Sequence, residues 1–400
     1  MHGRLKSALQ GAAILAWVCG AQADGLELSG DLALEVRGFP EAARDPAQGD
    51  ASVALALRPE FYRAWNDEAD SVLFSPFARL DQNDRRRTHV DVRELTYVHA
   101  APEWELRVGA RQVFWGVAES NHLVDIINQF DLVENLDGED KFGQPMVNVA
   151  WKQPWGTIDA FVLTGFRERS FPGRDGRLRT PLPVDVDRPR YESPAGPRHV
   201  DYALRYAHTL GPVDFGIAHF HGTNREPRLV VAPNRRGAPS LRPFYDLIDQ
   251  TSLDLLAVVE SCAFKLEALR RAGMGETYAA AVGGFEYTWV GVAQSPLDVG
   301  LLGEYHYDER GDGATTPFNH DLFVGSRLGF NDIADSQLLA GVVVDTHGGG
   351  QFLNVEARRR FGERWRLELE LRMFMNTPPE DLLGFFQRDD YVQLELARFF

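Results

Sequence analysis

Trp365-Arg366-Leu367-Glu368-Leu369-Glu370-Leu371-Arg372-Met373 alternates apolar and charged residues without a break. Side chains of an extended chain point to opposite faces in turn, so this stretch has one apolar face and one charged face. The same period runs through Leu26, Leu28, Leu32, Leu34 and Val36 against Glu27, Ser29, Asp31, Glu35 and Arg37. It returns in Leu297, Val299, Leu301, Tyr305 and Tyr307 against Asp298, Glu304, His306 and Asp308, and in Val200 to Tyr206. Two architectures accept many such strands. A soluble sheet turns its apolar faces inward, whereas a membrane barrel turns them outward to lipid and leaves the charged faces in a wet lumen.

Loop lengths separate the two. Strands are expected at 26–38, 50–64, 71–81, 88–100, 103–114, 146–154, 157–167, 198–209, 212–222, 247–259, 262–271, 277–290, 296–308, 319–330, 336–346, 351–361, 364–375 and 390–400. Connections after even-numbered strands are short: Ala101-Pro102, Trp155-Gly156, Leu210-Gly211 and Gly362-Glu363. Most connections after odd-numbered strands are long: 115–145, 168–197, 223–246 and 376–389. A soluble sandwich has no reason to sort loops by parity; an outer-membrane barrel does, with its short turns periplasmic. The predicted fold is therefore all-β, a transmembrane antiparallel up-and-down barrel of about eighteen strands, with sixteen as the alternative. Trp65, Trp104, Trp155, Trp289 and Trp365 all fall at the short-turn ends, where an indole suits a lipid–water interface.

Composition excludes several other classes. Of 400 residues, 44% are hydrophobic and 25% charged, which rules out wholesale disorder. A net charge of −16 argues against a nucleic-acid partner, which wants a basic face. No apolar run is long enough for a helical span. Arg4 and Lys6, the apolar run Ala8 to Gly20 and the small-x-small pattern Ala21-Gln22-Ala23 read as a signal peptide, 1–23, followed by the barrel, 24–400. Cys262 is then the one cysteine of the mature chain, so no internal disulfide is expected.

The richest stretch lies between Arg107 and Pro145. It contains Trp115-Gly116, then Asp125, Asn128 and Asp131, then Glu134, Glu139 and Asp140. Here the sequence resembles proteobacterial outer-membrane proteins of the porin type, in which a strand ending in Trp-Gly precedes a loop with an Asp-x-x-Asn-x-x-Asp core. The close match covers about forty residues. The resemblance implies a loop that folds into the lumen and narrows it. The residues agree, because Leu123, Val124, Ile126, Ile127, Phe130, Leu132 and Val133 need an apolar surface to bury against, such as the inner wall. The expected constriction sets Arg107 and Arg111, which share the inward parity of their strand, against Asp125, Asn128, Asp131, Glu134, Glu139 and Asp140. Such a transverse field orients polar solutes and sets ion preference, and the same charges also make salt bridges that hold a loop in place. The last strand, Tyr391 to Phe400, resembles the assembly signal of bacterial outer-membrane barrels, with Phe400 as its key residue and Arg398 where an aromatic or apolar residue is usual.

Other chemistry is weaker. Asp137-Gly138-Glu139-Asp140 lacks the spacing of a calcium loop, and His219-Phe220-His221 has no third ligand close in sequence, so no metal is assigned. Ser120 and His122 lack a nucleophile turn and a third member, so no catalytic residue and no cofactor are expected. Arg37, Arg58, Arg79, Arg205 and Arg327 alternate with inward acids, which implies a wet lumen of mixed sign. The expected function is passive passage of small polar or amphipathic solutes across the outer membrane of a Gram-negative bacterium. A polymer or lipid export barrel, or a surface protein binding through its extracellular loops, are the alternatives. Expected partners are outer-membrane lipid and lipopolysaccharide, the barrel-assembly machinery and small solutes. Eighteen strands suit a homotrimer or a monomer.

Overall fold

The computed structural model describes residues 25–378 and 381–400, so the expected signal peptide at 1–23 lies outside the described residues. In chain order the strands are β1 (Leu26–Gly38), β2 (Ala51–Trp65), β3 (Asp70–Asp81), β4 (His89–Ala100), β5 (Trp104–Arg111), β6 (Gln144–Gln153), β7 (Gly156–Leu163), β8 (Arg190–Tyr191), β9 (Asp201–Leu210), β10 (Val213–Thr223), β11 (Arg228–Pro233), β12 (Pro239–Tyr245), β13 (Leu247–Val259), β14 (Cys262–Ala272), β15 (Tyr278–Trp289), β16 (Asp298–Asp308), β17 (Asp321–Gly329), β18 (Gln337–Asp345), β19 (Gln351–Phe361), β20 (Trp365–Met375) and β21 (Tyr391–Phe399). Eighteen of them form one antiparallel sheet, and β1 pairs with both β2 and β21, which closes it into a barrel. The short strands β8, β11 and β12 form a separate three-stranded sheet in the long loops. No helix among the described residues is long and apolar enough to cross a membrane.

Burial gives the barrel its orientation in solvent. On β1, Leu32, Leu34 and Val36 are 37%, 46% and 44% exposed, while Asp31, Glu35 and Arg37 between them are buried. On β16, Tyr305 and Tyr307 point out while Glu304, His306 and Asp308 are buried. The hydrophobic effect puts apolar side chains on the outside of a closed sheet only when the outside is lipid. The chain is thus an outer-membrane β-barrel. The inward charges pair across strands: Arg58 lies 3.2 Å from Asp31 and 2.8 Å from Glu395, Arg79 lies 2.7 Å from Glu35, and Arg205 lies 2.6 Å from Asp254.

The expected parity of loops holds. The turn ends of β2, β6, β9 and β19 are short, and the five tryptophans expected there are exposed at that end, joined by Trp151. Strand bounds shift by a few residues. The largest differences are β5, which stops at Arg111, and β7, which stops at Leu163. The reason at β5 is visible: Asn128 Oδ1 accepts the amide of Val113 at 2.8 Å, which takes the chain off the wall. The long connection expected at 168–197 reaches back into the barrel interior, where an isolated bridge joins Ser170 to Asp131 of the lumen loop.

Candidate functional site

Residues 112–143 cross the lumen. Val113, Trp115, Val124, Ile126 and Ile127 pack with Met146, Phe161, Leu163, Ala203, Ala218, Phe220 and Ile248 of the wall in one apolar cluster. The barrel therefore carries a dry core on one side of a charged lumen. On the strands next round the wall, β14 and β16, two carboxylates receive the loop backbone. Glu267 of β14 accepts the amides of Val117 and Ala118 on one oxygen, at 2.6 and 2.8 Å, and that of Val124 on the other, at 3.1 Å. Glu304 of β16 accepts the amides of Glu119 and Ser120 at 2.7 and 2.9 Å. Gly116 is required for this approach: its φ is +110°, and a Cβ there would sit 2.5 Å from Glu267 Oε1. The Trp-Gly pair is thereby explained, with Trp115 filling the core edge-on to Phe161 and Gly116 letting the backbone reach the acid.

The eight residues expected to form the constriction do not stay together. Asp125, Asn128, Asp131 and Glu134 are all buried within the loop and its contacts. Asp125 pairs with Lys141 of the same loop. Asn128 donates to the carbonyls of Arg111 and Phe142 at 2.7 and 2.8 Å, latching the two ends of the loop together. Asp131 pairs with Arg93 of β4 at 2.6 Å, and Glu134 with Arg79 of β3 at 2.7 Å. The pairing expected with Arg107 and Arg111 is corrected: Arg107 bonds to Glu105 and to Asn148, and Arg111 to Asn148 at 3.0 Å. Inward parity fixes which face a residue takes, and says nothing of its position around the barrel. The sequence reading missed Glu267, Glu304, Arg79 and Arg93 as partners of the loop; their inward parity was visible, their partners were not.

Glu139 and Asp140 are the two of the eight that remain exposed inside the barrel. An outer chamber of about 900 Å³ lies on the long-loop side, lined in part by His122, Glu139, Phe318, Phe352 and Phe374. An inner chamber of about 650 Å³ lies on the short-turn side, lined in part by Asp31, Arg58, Arg93 and Asp140. Glu139 borders both. It accepts from His122 Nε2 at 2.5 Å, and that bond raises the histidine's pKa and lowers the carboxylate's. Enclosure in the barrel, reinforced by the negative charges of Glu134 and Asp137, pushes Asp140 up to about 7. Enclosure likewise pushes Asp137 up to about 6, against the pull of Arg372 3.0 Å away.

Ser120 meets His306 and not His122. Its hydroxyl lies 2.5 Å from Glu304 Oε2 and 2.8 Å from His306 Nε2. A hydroxyl has one proton to donate, and Glu304 takes it; the imidazole must then donate from Nε2, so that nitrogen has no lone pair for a base. The contact holds the loop to β16.

The sequence matches no protein-family model and no curated protein. Solved structures do match. Wzi, an outer-membrane protein of Escherichia coli involved in group 1 capsule assembly and described as a carbohydrate-binding β-barrel, superposes with a TM-score of 0.51 at 9% identity, over 93% of this chain and 84% of that one. A mutant porin of Rhodopseudomonas blastica gives 0.47 at 10% identity, over 94% and 100%. OpdQ of Pseudomonas aeruginosa gives 0.46 at 12% identity, over 93% and 97%. At such identities the likeness is one of fold, and that to Wzi agrees with the barrel derived from burial.

Proposed function

We propose that this barrel is an outer-membrane channel for small polar and amphipathic solutes, with its narrowest passage at Glu139 and Asp140. The observation that carries the reading is that Glu139 borders both chambers, so a solute moving between them passes its carboxylate. Fixed negative charge at a narrow point raises the local concentration of cations, so the passage favours them over anions. The loop acids buried in ion pairs hold the loop, and Ser120 acts as an anchor, which gives the lumen a transport role without a catalytic one. Lipid and lipopolysaccharide cover the apolar belt, the barrel-assembly machinery inserts the chain, and a homotrimer fits the eighteen-stranded wall.

Single-channel recording in a planar bilayer tests this. Discrete conductance steps with a reversal potential of cation preference are expected, and Glu139→Gln with Asp140→Asn should move the reversal potential toward zero. A folded barrel that gives no steps would remove the channel reading. It would favour instead a surface protein that binds ligands in the outer chamber, where phenylalanines and arginines line one cavity as in a saccharide or amphiphile site. Wzi lends that alternative a fold precedent.

A further inference from the structure

We infer that His89, Asp131 and Glu134 form a divalent-metal site of the zinc type that pins the lumen loop to the barrel wall. The three come from two distant parts of the chain, the first residue of β4 and the returning limb of the loop. Their ligand atoms lie within 4.8 Å of one another. His89 Nε2 is 3.5 Å from Asp131 Oδ2 and 3.8 Å from Glu134 Oε1.

Those distances are the argument. They are too long for good N–H···O hydrogen bonds, which end near about 3.2 Å. Two ligands each about 2.1 Å from a tetrahedral zinc are separated by about 3.4 Å. His89 Nδ1 lies 3.1 Å from the carbonyl oxygen of Arg87. A carbonyl only accepts, so Nδ1 carries the proton, and in the neutral ring Nε2 presents its lone pair to the two carboxylates. Lone pairs turned on one another repel unless a cation lies between them. Glu134 supplies the independent sign: it is buried, and its Oε1 has no hydrogen-bond partner among the described residues, nor has His89 Nε2. A buried acceptor left unbonded costs on the order of 1–3 kcal/mol, so such atoms point to a missing partner.

The surroundings fit a ligand set already oriented. Arg79 holds the other oxygen of Glu134 at 2.7 Å, and Ser170 donates to the other oxygen of Asp131 at 2.5 Å. Arg93 shares Asp131 Oδ2, and Arg87 lies close by on Glu35 at 2.6 Å. These cations oppose a metal; the carboxylates of Glu35, Asp81, Asp131 and Glu134 match Arg37, Arg79, Arg87 and Arg93 in number, and the carboxyl of Asp140 lies close by. The competitor for the same place is a proton, giving an imidazolium.

The test uses the mature chain folded in detergent, stripped with EDTA and titrated with Co²⁺, whose visible absorption reports tetrahedral nitrogen–oxygen coordination. Saturation at one Co²⁺ per barrel, with displacement by Zn²⁺, is expected. His89→Asn and Glu134→Gln should each weaken binding by about tenfold or more, while His219→Asn with His221→Asn should leave it unchanged. X-ray absorption at the zinc edge of the unmutated protein needs no variant, and should show one imidazole with carboxylate oxygens. Absence of stoichiometric binding to the unmutated barrel, or binding that survives both His89→Asn and Glu134→Gln in folded protein, overturns the metal and leaves the proton. Conduction can fail or succeed independently of this result.

Discussion

Lys141 and Asp125 are 0% and 2% exposed as side chains, an ion pair sealed inside the loop, with the ammonium 3.7 Å from the centre of the Phe114 ring. Removing one member leaves the other charge uncompensated in a dry place, which costs about 3–5 kcal/mol, whereas replacing both with apolar groups is often near neutral. Lys141→Met should therefore lower the urea midpoint of the folded barrel and open the loop to trypsin, and the double variant Asp125→Leu with Lys141→Met should recover most of the loss. A single variant with unchanged midpoint would show that the pair is not what holds the loop. Asp140 makes a different prediction. With its carboxyl at about 7, it is mostly neutral at pH 5 and charged at pH 9. Cation preference should rise with pH through that window, and Asp140→Asn should flatten the rise. The stability term has the opposite sign: because the folded value lies above the unfolded one, enclosure of Asp140 favours the fold in acid and loses that contribution as pH rises through about 7.

At the scale of elements, the loop is a strap with four fastenings: an apolar patch on β6, β7, β9, β10 and β13, backbone amides on Glu267 and Glu304, ion pairs on β3 and β4, and the contacts of Asn135 and Asp137 with Glu370 and Arg372 of β20. Glu267→Ala leaves three amides without their acceptor, at about 1–3 kcal/mol for each one that water cannot reach. The expected result is noisier and larger single-channel steps, since this fastening is released while the apolar patch stays packed. Deleting Ala118 to Lys141 should raise conductance further, because the narrowest cross-section sets the resistance. A deletion that folds and conducts as before would mean that the loop does not bound the passage. The wall is irregular around Pro76, where the β3–β4 register also shifts between Ser75 and Pro76. The β2–β3 register runs from Ala54–Leu57 with Ala78–Asp81 and resumes at Phe61 with Phe74, and Pro59 and Pro76 sit in the gap. Proline cannot donate to a ladder, so neither Pro59 nor Pro76 supplies a ladder bond there.

For the whole molecule, closure depends on the seam of β1 with β21, which runs from Asp31 with Phe399 to Gly38 with Val392. The amide of Phe400 adds a bond to the carbonyl of Gly30 at 3.0 Å. Removing Phe400 should reduce the heat-modifiable, folded fraction in the outer membrane, because it shortens both the seam and the terminal signal. An unchanged folded fraction would count against that role. Arg398, unusual for such a terminus, pairs in register with Trp365 and lays its guanidinium 5.9 Å from that ring, a place where a long side chain reaches water. The proposed cleavage predicts an intact mass that begins at Asp24.

What the sequence determined by itself was the barrel: its strand count, the sorting of its loops and the direction of every face. These follow from a period of two residues and from the spacing of turns, both local quantities that need no partner. The inward course of the loop was legible for the same reason, since seven apolar residues in a row of acids have to find a wall. The tertiary structure alone decided which charges meet. Val117 finds Glu267 150 residues away, Asn135 finds Glu370 235 residues away, and Arg58 finds Glu395 337 residues away. Parity places all of these in the lumen, but closure of the sheet sets their position around it, and the loop chooses among them by height and reach. For that reason Arg107 and Arg111, correct in their facing, were paired with the wrong acids, and His89 was joined to Asp131 and Glu134 only by the fold.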